Sequence, residues 1–454
     1  MASKRGNGGG LLSSIKSSLW KSGKIPMNES TNSHGGVEFV SPEGDPANAA
    51  VEATKQRWKP KERQGWWNTA KKYIGMDVMY LSILPIALLE PRSQLQRVAE
   101  SMEYSNFLDR ANECEDPYMQ LVYASTWSLS FFYALRRTFK AFNPILGETY
   151  EMVNHDGITY IGEQVSHHPP IDVVHAENEH FVLDSTNCIR TRLLGNSLDI
   201  YPGTIMRITL KRNGVVLEGT PPNAKAYNLI FGRMWITICG ETTITNLTTG
   251  DYVVLKFQPS GWFSGARFDV DGYVYNAAKE PKIFMTGKWT KSMSYQPCDK
   301  KGKPLPGTEL KEIWRVPDVP VKDKYHFTYF SHKVNSFDTA PRQMLASDSR
   351  LRPDRYALEK GDLSKVSHQK NRLEVRQRKE RKRREANIDK YTPKWFDLTG
   401  EAVITPYGDT QVYKYNGKYD EHRETVNSLN ISADEVDGQP TEFDPWQYGQ
   451  EKLA

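Results

Sequence analysis

The chain is poor in cysteine, with four in 454 residues at positions 114, 188, 239 and 298 and no CxxC pair. Spacing this wide excludes a zinc knuckle and a dense disulfide framework, and fits a reduced, cytosolic protein. Long apolar runs are also missing. The longest covers residues 79–89, eleven positions with Pro85 inside it, whereas a membrane-spanning helix needs about twenty. The opening MASKRGNGGGLLSSIKSSLW lacks the continuous apolar stretch and small-residue cleavage site of a secretory leader. Membrane contact is therefore expected to be peripheral. Net charge is only +5, modest for a protein that would coat nucleic acid. There is no internal repeat, no G-x-S-x-G turn to expose a serine nucleophile, and no close His/Cys/carboxylate cluster with metal-ligand spacing. Neither a metal nor a cofactor is expected.

What is there is an ordinary globular composition, 38% apolar, 11% aromatic and 25% charged. Length suggests two or three domains, or one large β-rich domain with tails. Residues 1–60 are rich in Gly, Ser, Asn and Pro and read as a flexible tail. Within it Leu11, Leu12, Ile15, Leu19 and Trp20 fall near helical spacing between Ser and Lys. That pattern suits an amphipathic segment on loosely packed lipid as well as a tail with stray apolar residues. Residues 61–90 are apolar and aromatic, and 90–142 show helical faces, among them Trp127, Phe131, Phe132 and Phe139.

From residue 149 to about 314 the texture is that of strands. Asp156-Gly157 and Asn213-Gly214 each separate two apolar-patterned runs, and both pairs supply the positive φ of a tight hairpin. In ARFDVDGYV, Ala266, Phe268, Val270, Gly272 and Val274 alternate with polar or exposed partners, the period of a strand with one buried face. Many such strands without intervening helices predict a large antiparallel sheet that stacks or closes. Further on, residues 351–394 hold 15 Lys/Arg against 7 Asp/Glu, and residues 397–454 hold 4 against 12. The modest overall charge thus conceals a basic helix followed by an acidic tail, expected to be flexible.

Three strings stand out. In EQVSHHPP (residues 163–170) two adjacent histidines on extended chain would face opposite ways, and the prolines turn the strand out of regular pairing. Such a pair can bind metal, act as acid and base, or donate to an anion, or simply sit in a core or at a rim. In FKAFNPILGE (139–148), Lys140 stands at a helix-to-sheet junction, a place for a phosphate contact. In KNRLEVRQRKERKRRE (370–385), Lys370, Glu374 and Arg378 are spaced i, i+4, i+8 on one helix face, spanning about 12 Å at 1.5 Å per residue. Glu374 can hold both cations through i,i+4 pairing. A solvated face and a nucleic-acid patch are alternatives, although no aromatic interleaves the basic residues to stack on a base.

EQVSHHPP together with NPILGE resembles the signature of the oxysterol-binding protein-related family of lipid-transfer proteins. LSILPIALLEPRSQLQRVAE, SGWFSG, the GKW of residues 287–289, KNRLEVRQR and PKWF extend the resemblance over residues 61–396. It implies a short, plant-type member without an additional phosphoinositide-binding domain before the core. The implied fold is mainly β with helices. It is a large, nearly closed antiparallel β-barrel around a hydrophobic tunnel, with an N-terminal lid at about 62–80 and a charged C-terminal helix. The implied ligands are phosphatidylinositol 4-phosphate and, in exchange, a sterol or another lipid, with the headgroup at the rim. The family's headgroup residues correspond to Lys140, Asn143, His167, His168, Lys370, Glu374 and Arg378. Lys140 and Arg378 would supply charge and the imidazoles directional donors to a phosphomonoester, so binding should favour protonated histidines.

Tunnel and lid candidates are Trp66, Trp67, Leu81, Ile83, Leu84, Ile86, Trp127 and Phe131, each of which fits ordinary core equally well. The expected function is lipid transfer without catalysis, peripheral to membranes at endoplasmic-reticulum or Golgi contact sites. The alternative is a lipid sensor or scaffold that uses the same pocket. A hydrolase using Ser166 and His167 would need ester turnover that Ser166→Ala abolishes. KWFDLTGE resembles a two-aromatic acidic motif that docks on an endoplasmic-reticulum receptor, here through Trp395-Phe396-Asp397, although its first half is also the family's structural ending. Phe443 and Trp446 in the acidic tail form a second short candidate motif.

Overall fold

The computed structural model describes residues 65, 67–68, 70–77, 86–230, 234–258, 268–317, 323–387, 391–405, 407–428 and 442–446. The amphipathic segment at 11–20, Trp66, Leu81, Ile83, Leu84 and the SGWFSG string lie outside these residues.

Strand β1 (Leu89–Ser93) leads into helix α1 (Gln94–Ala99), which starts where the Ser93 hydroxyl accepts from the Gln96 amide and the Gln96 side chain accepts from the Ser93 amide. This reciprocal cap satisfies two otherwise orphaned N–H groups. Helix α2 (Asn106–Glu113) follows, and then α3 (Pro117–Phe131), set by the Asp116 cap and a proline in its first turn. α3 is buried on almost every side, from Gln120 to Ser130. Its hydroxyls cost little there because they turn back on the helix: Ser125 and Thr126 donate to the Val122 carbonyl and Ser130 to that of Trp127. Strand β2 (Lys140–Phe142) runs parallel to β1, with Leu89 opposite Lys140.

Fourteen strands of the described residues form one antiparallel sheet. They are β3 (Thr149–His155), β4 (Ile158–His167), β5 (Pro170–Glu177), β6 (Phe181–Leu194), β7 (Ser197–Pro202), β8 (Ile205–Leu210), β9 (Val215–Thr220), β10 (Asn223–Tyr227), β11 (Trp235–Asn246), β12 (Tyr252–Phe257), β13 (Asp269–Tyr275), β14 (Pro281–Lys288), β15 (Ser292–Pro297) and β16 (Lys311–Arg315). The two longest strands make the closure. The first half of β6 pairs with β8 and its second half with β7. β11 likewise pairs with β10 near its start and with β9 near its end. Since β8 pairs β9 and β7 pairs β10, strands β6, β7, β10, β11, β9 and β8 close a ring. β3 and β16 are left as the two edges of the strand order. This is the expected nearly closed barrel with helices.

Both hairpin signals hold: Asp156 and Gly157 adopt positive φ between β3 and β4, and Gly214 does so between β8 and β9. In β13, Val270, Gly272 and Val274 are the buried positions, as the alternation required. Gly272 is also a close approach, since a Cβ there would lie 1.9 Å from the Val254 carbonyl oxygen.

The C-terminal third departs from expectation. The basic region is two helices, α4 (Tyr329–Asn335) being followed by α5 (Pro353–Glu359) and α6 (Leu363–Asn387), with Gly361 at φ +79° breaking the last two apart. The acidic segment is ordered where it is described: β17 (Phe396–Val403) and β18 (Thr410–Tyr415) form a hairpin, and α7 (Lys418–Ser428) packs beside it. Acidic composition suggested disorder, but Trp395, Phe396 and Tyr419 supply the apolar anchors, packed with Ile161, Val165, Ile171 and Val173. This corrects the receptor-docking reading. Trp395 and Phe396 are 2% and 0% exposed, so neither aromatic is available to a partner.

Candidate functional site

A cavity of ≈ 340 Å³ lies within the ring of strands, a size ordinary for small-molecule sites. β6 supplies every second residue to its wall, Leu183, Ser185, Asn187, Ile189, Thr191 and Leu193, which is the strand period expressed as a lining. β7 and β10 add Leu198, Ile200, Ala224 and Ala226, and the helical side adds Val98, Trp127, Phe131 and Phe132. Trp127 and Phe131 therefore face the cavity.

Trp67, Ala70 and Tyr73 pack against Leu193, Leu198, Ala226, Leu229 and Met234, all but Trp67, Ala70 and Tyr73 themselves being wall residues. The chain beyond them is tied to β6, with the Gly75 amide donating to the Leu193 carbonyl and the Thr191 hydroxyl to Asp77. Ile86 points elsewhere, into a cluster with Leu89, Phe142, Ala357, Leu358 and Val366. The turn at 86–88 is a 3₁₀ turn, in which residues i and i+3 eclipse. Ile86 thus follows Leu89 away from the cavity while Leu88 lines it.

Beside this chamber sits a smaller and more polar cavity, ≈ 60 Å³, in which Lys140, Asn143, His167, Lys370 and Glu374 join apolar residues such as Leu89 and Phe142. Lys140 and Ala141 line both. The local folding that assembles it is specific. Asn143 accepts from the Lys140 ammonium. Glu148 of NPILGE is fully buried and accepts from the Ile145 amide (2.9 Å), the Ser349 hydroxyl (2.7 Å) and Arg352 (2.8 Å). Arg352 also donates to the Asn143 carbonyl (2.9 Å) and pairs with Asp354. The loop that carries Lys140 and Asn143 is thereby braced onto a segment two hundred residues away in the chain. Arg352 and Asp354 line the cavity as well, as does Gln377, and sequence reasoning missed all three.

α6 brings Lys370 and Glu374 together at 2.6 Å. Arg378 is exposed and does not line the cavity. At 100° per residue, position i+8 lies about 80° from position i, whereas i+7 lies about 20° away. Gln377 therefore shares the inward face with Lys370 and Glu374, and its buried Nε2 has no hydrogen-bond partner.

His167 ends β4 and pairs with Pro170 as the last rung of a hairpin whose turn is His168-Pro169. The prolines thus close a hairpin instead of turning the strand out of pairing. The two rings meet edge to face at 4.7 Å. His167 faces the cavity, and His168 is exposed, 3.3 Å from Arg381. A neck of ≈ 20 Å³ lined by Gln94, Gln164, His167, Asp172 and Ile189 adjoins both spaces. Its Gln164 Oε1 and His167 Nδ1 are buried without partners. Glu163, the first residue of EQVSHHPP, is a brace, accepting from Tyr391 (2.6 Å) and the amides of Lys394 (2.9 Å) and Trp395 (3.0 Å). It clamps the PKWF string to the histidine hairpin.

The electrostatics favour an anion. Among the described residues Lys140 meets no carboxylate, and burial with Lys370, Arg97 and Arg352 nearby lowers its pKa to about 7. Burial, then His168 and Arg381, lower His167 to about 4. His168 is lowered by the same two causes, burial and Arg381. Both histidines are thereby shifted toward their neutral form, and a neighbouring anion would oppose that shift by favouring the protonated ring. Burial also pushes Asp172 up to about 7.

Comparison with known proteins agrees with this fold. The family model described as oxysterol-binding protein matches residues 65–424. The chain is 59% identical over 414 residues to the Arabidopsis thaliana oxysterol-binding protein-related protein 3C, covering 91% of each. It is 54% identical to related protein 3B of the same plant, covering 98% of this chain and 96% of that one. Among solved structures it resembles the Osh1 ORD domain in complex with cholesterol, with a TM-score of 0.71, 27% identity, and 84% and 96% of the two chains covered. It also resembles the Saccharomyces cerevisiae Osh3 ORD in complex with PI(4)P, with a TM-score of 0.64, 27% identity, and 80% and 94% covered.

Proposed function

The chain belongs to the oxysterol-binding protein family and carries its lipid-binding domain, and we propose that it extracts phosphatidylinositol 4-phosphate and exchanges it for a sterol between membranes. The observation that carries this reading is the meeting of two unlike cavities at Lys140. Acyl chains gain an apolar environment in the chamber, while the headgroup phosphate supplies the counter-charge that Lys140 lacks. Asn143, His167, Lys370 and Glu374 hold the inositol ring, and His168 and Arg378 reach the phosphate from the exposed rim. A sterol fills the same chamber and leaves no room for acyl chains, so the two ligands are swapped. Trp67, Ala70 and Tyr73 belong to a lid over the chamber. With no helix among the described residues long and apolar enough to cross a membrane, the protein meets its membranes peripherally.

The test is transfer of phosphatidylinositol 4-phosphate between liposomes, with and without sterol in the acceptor, by the wild type and by His167→Ala/His168→Ala. Transfer that counter-flowing sterol accelerates and the double variant loses supports exchange. Tight binding with no net transfer would instead favour a lipid sensor.

A further inference from the structure

We propose that the C-terminal segment Phe443–Trp446 is an internal clasp that positions α6, and with it the headgroup face of the pocket. The inference concerns residues that neither the family's motifs nor the headgroup set includes, and it deepens the reading above.

The argument starts from how weakly α6 is otherwise held. Of its twenty-five residues only Val366 and Leu373 are buried. Val366 anchors the start of the helix against Leu89, Phe142, Ala357 and Leu358. Leu373 is the second anchor, and beyond it the helix runs to Asn387 without another buried side chain. A helix so polar draws its stability from tertiary contacts on its narrow apolar stripe. Its inward residues Lys370, Glu374 and Gln377 flank Leu373 on both sides. Whatever fixes Leu373 therefore fixes the helical half of the pocket.

What fixes it is the tail. Trp446 is 2% exposed and packs with Leu373 and Ile145, joined by the half-buried Phe443. Both Leu373 and Ile145 line the polar cavity from their other sides, so the indole forms the outer layer of the pocket wall. Three further contacts hold it in place. The Arg376 guanidinium lies 5.0 Å from the Trp446 ring centroid, within cation–π range. Arg376 also approaches the Asp444 carboxylate at 3.7 Å. The Asp444 amide donates to the Ala346 carbonyl at 2.7 Å, tying the segment to the stretch before Arg352. The clasp thus bridges the three pieces that make the pocket: the loop after Asn143, the 346–354 stretch and α6. Without it Leu373 and Ile145 would face water, and α6 would be free to hinge at Val366.

Two measurements on the full-length chain test this. The first needs no lipid: hydrogen exchange of the α6 amides in the wild type, Trp446→Ala and Trp446→Phe. Exchange across residues 370–387 should quicken in Trp446→Ala and return toward wild type in Trp446→Phe. Unchanged exchange in Trp446→Ala overturns the clasp. The second is equilibrium binding of a short-chain phosphatidylinositol 4-phosphate and, separately, of a fluorescent sterol. Loosening one wall of a polar site should weaken phosphoinositide binding about tenfold and leave sterol binding within about twofold, with Arg376→Ala showing a smaller version of the same split. Equal loss of both ligands would mean general destabilisation and would count against a positioning role. If the wild type binds no phosphoinositide, it is the proposed function that fails, and the exchange experiment still decides the clasp.

Discussion

The apolar chamber and the polar pocket share a wall, yet the chain builds them by opposite means. The chamber comes from neighbouring strands, with β6 alone giving six alternate residues, so its lining follows from hydrogen-bonded register. The pocket gathers side chains from residues 140–145, 167, 352–354 and 370–377. No secondary-structure rule brings them together. They are held by buried braces, Glu148 to Arg352 and Glu163 to the PKWF amides, and each brace spans some two hundred residues of chain. A chamber wall made by register tolerates single changes of shape, whereas a pocket made by convergence depends on each brace. The comparison predicts that substitutions will separate the two ligands cleanly.

The largest effect is expected at Lys140, the residue common to both spaces. Lys140→Ala removes a half-buried cation that would be paired only by the ligand, and phosphoinositide binding should fall about 100-fold, near the 2–5 kcal/mol typical of a lost charge partner. Sterol binding, measured by fluorescence in the same preparation, should stay within about twofold. The mirror experiment is Ala224→Trp, which fills the chamber. Sterol affinity should drop at least tenfold while the free inositol bisphosphate headgroup binds as before, the cost of overpacking being about 1–3 kcal/mol. Loss of both ligands in either variant would break the separation.

Proton linkage gives the next effect. Lys140 sits at about 7, and a bound anion would raise it toward the usual lysine range. Binding above pH 7 must then take up a proton, so affinity should fall as pH rises from 7 to 9, by up to about tenfold per unit. Asp172, also at about 7, ionises over the same range and acts in the same direction. His167, lowered to about 4 by burial, His168 and Arg381, stays neutral over this range in the ligand-free chain, so the slope is set mainly by Lys140 and Asp172. Calorimetry in buffers of different ionisation enthalpy measures the uptake directly, and Lys140→Met should make the profile shallower above pH 7, leaving the Asp172 contribution.

The smallest effect tests a brace. Glu163→Gln keeps the shape but weakens acceptance from Tyr391, Lys394 and Trp395. About 1–2 kcal/mol of stability should be lost, lowering Tm by roughly 2–4 °C, with sterol binding unchanged. Thermal melts with and without bound sterol would show it.

This contrast also explains what the sequence could convey. Period-two runs and Asp-Gly and Asn-Gly turns made the antiparallel sheet readable, because those signals are local. The order of the β17–β18 hairpin was not readable from charge, since a few aromatics such as Trp395 and Tyr419 outweigh an acidic composition once they find a core. At the pocket, spacing along α6 marked the correct helix but assigned Arg378 to a face that Gln377 occupies. Arg352 and Asp354 carried no local signature at all. The resemblance to a known family supplied Lys140, Asn143 and His167 as a set, and physics on the bare sequence did not.

The most direct test of the central claim is competition at equilibrium. A fluorescent sterol bound to the full-length chain is titrated with short-chain phosphatidylinositol 4-phosphate and, in parallel, with inositol 1,4-bisphosphate. If the two cavities meet at Lys140 and share one chamber, the intact lipid displaces the sterol and the free headgroup binds without displacing it. Simultaneous binding of sterol and intact phosphoinositide, or equal displacement by the headgroup alone, would contradict the account.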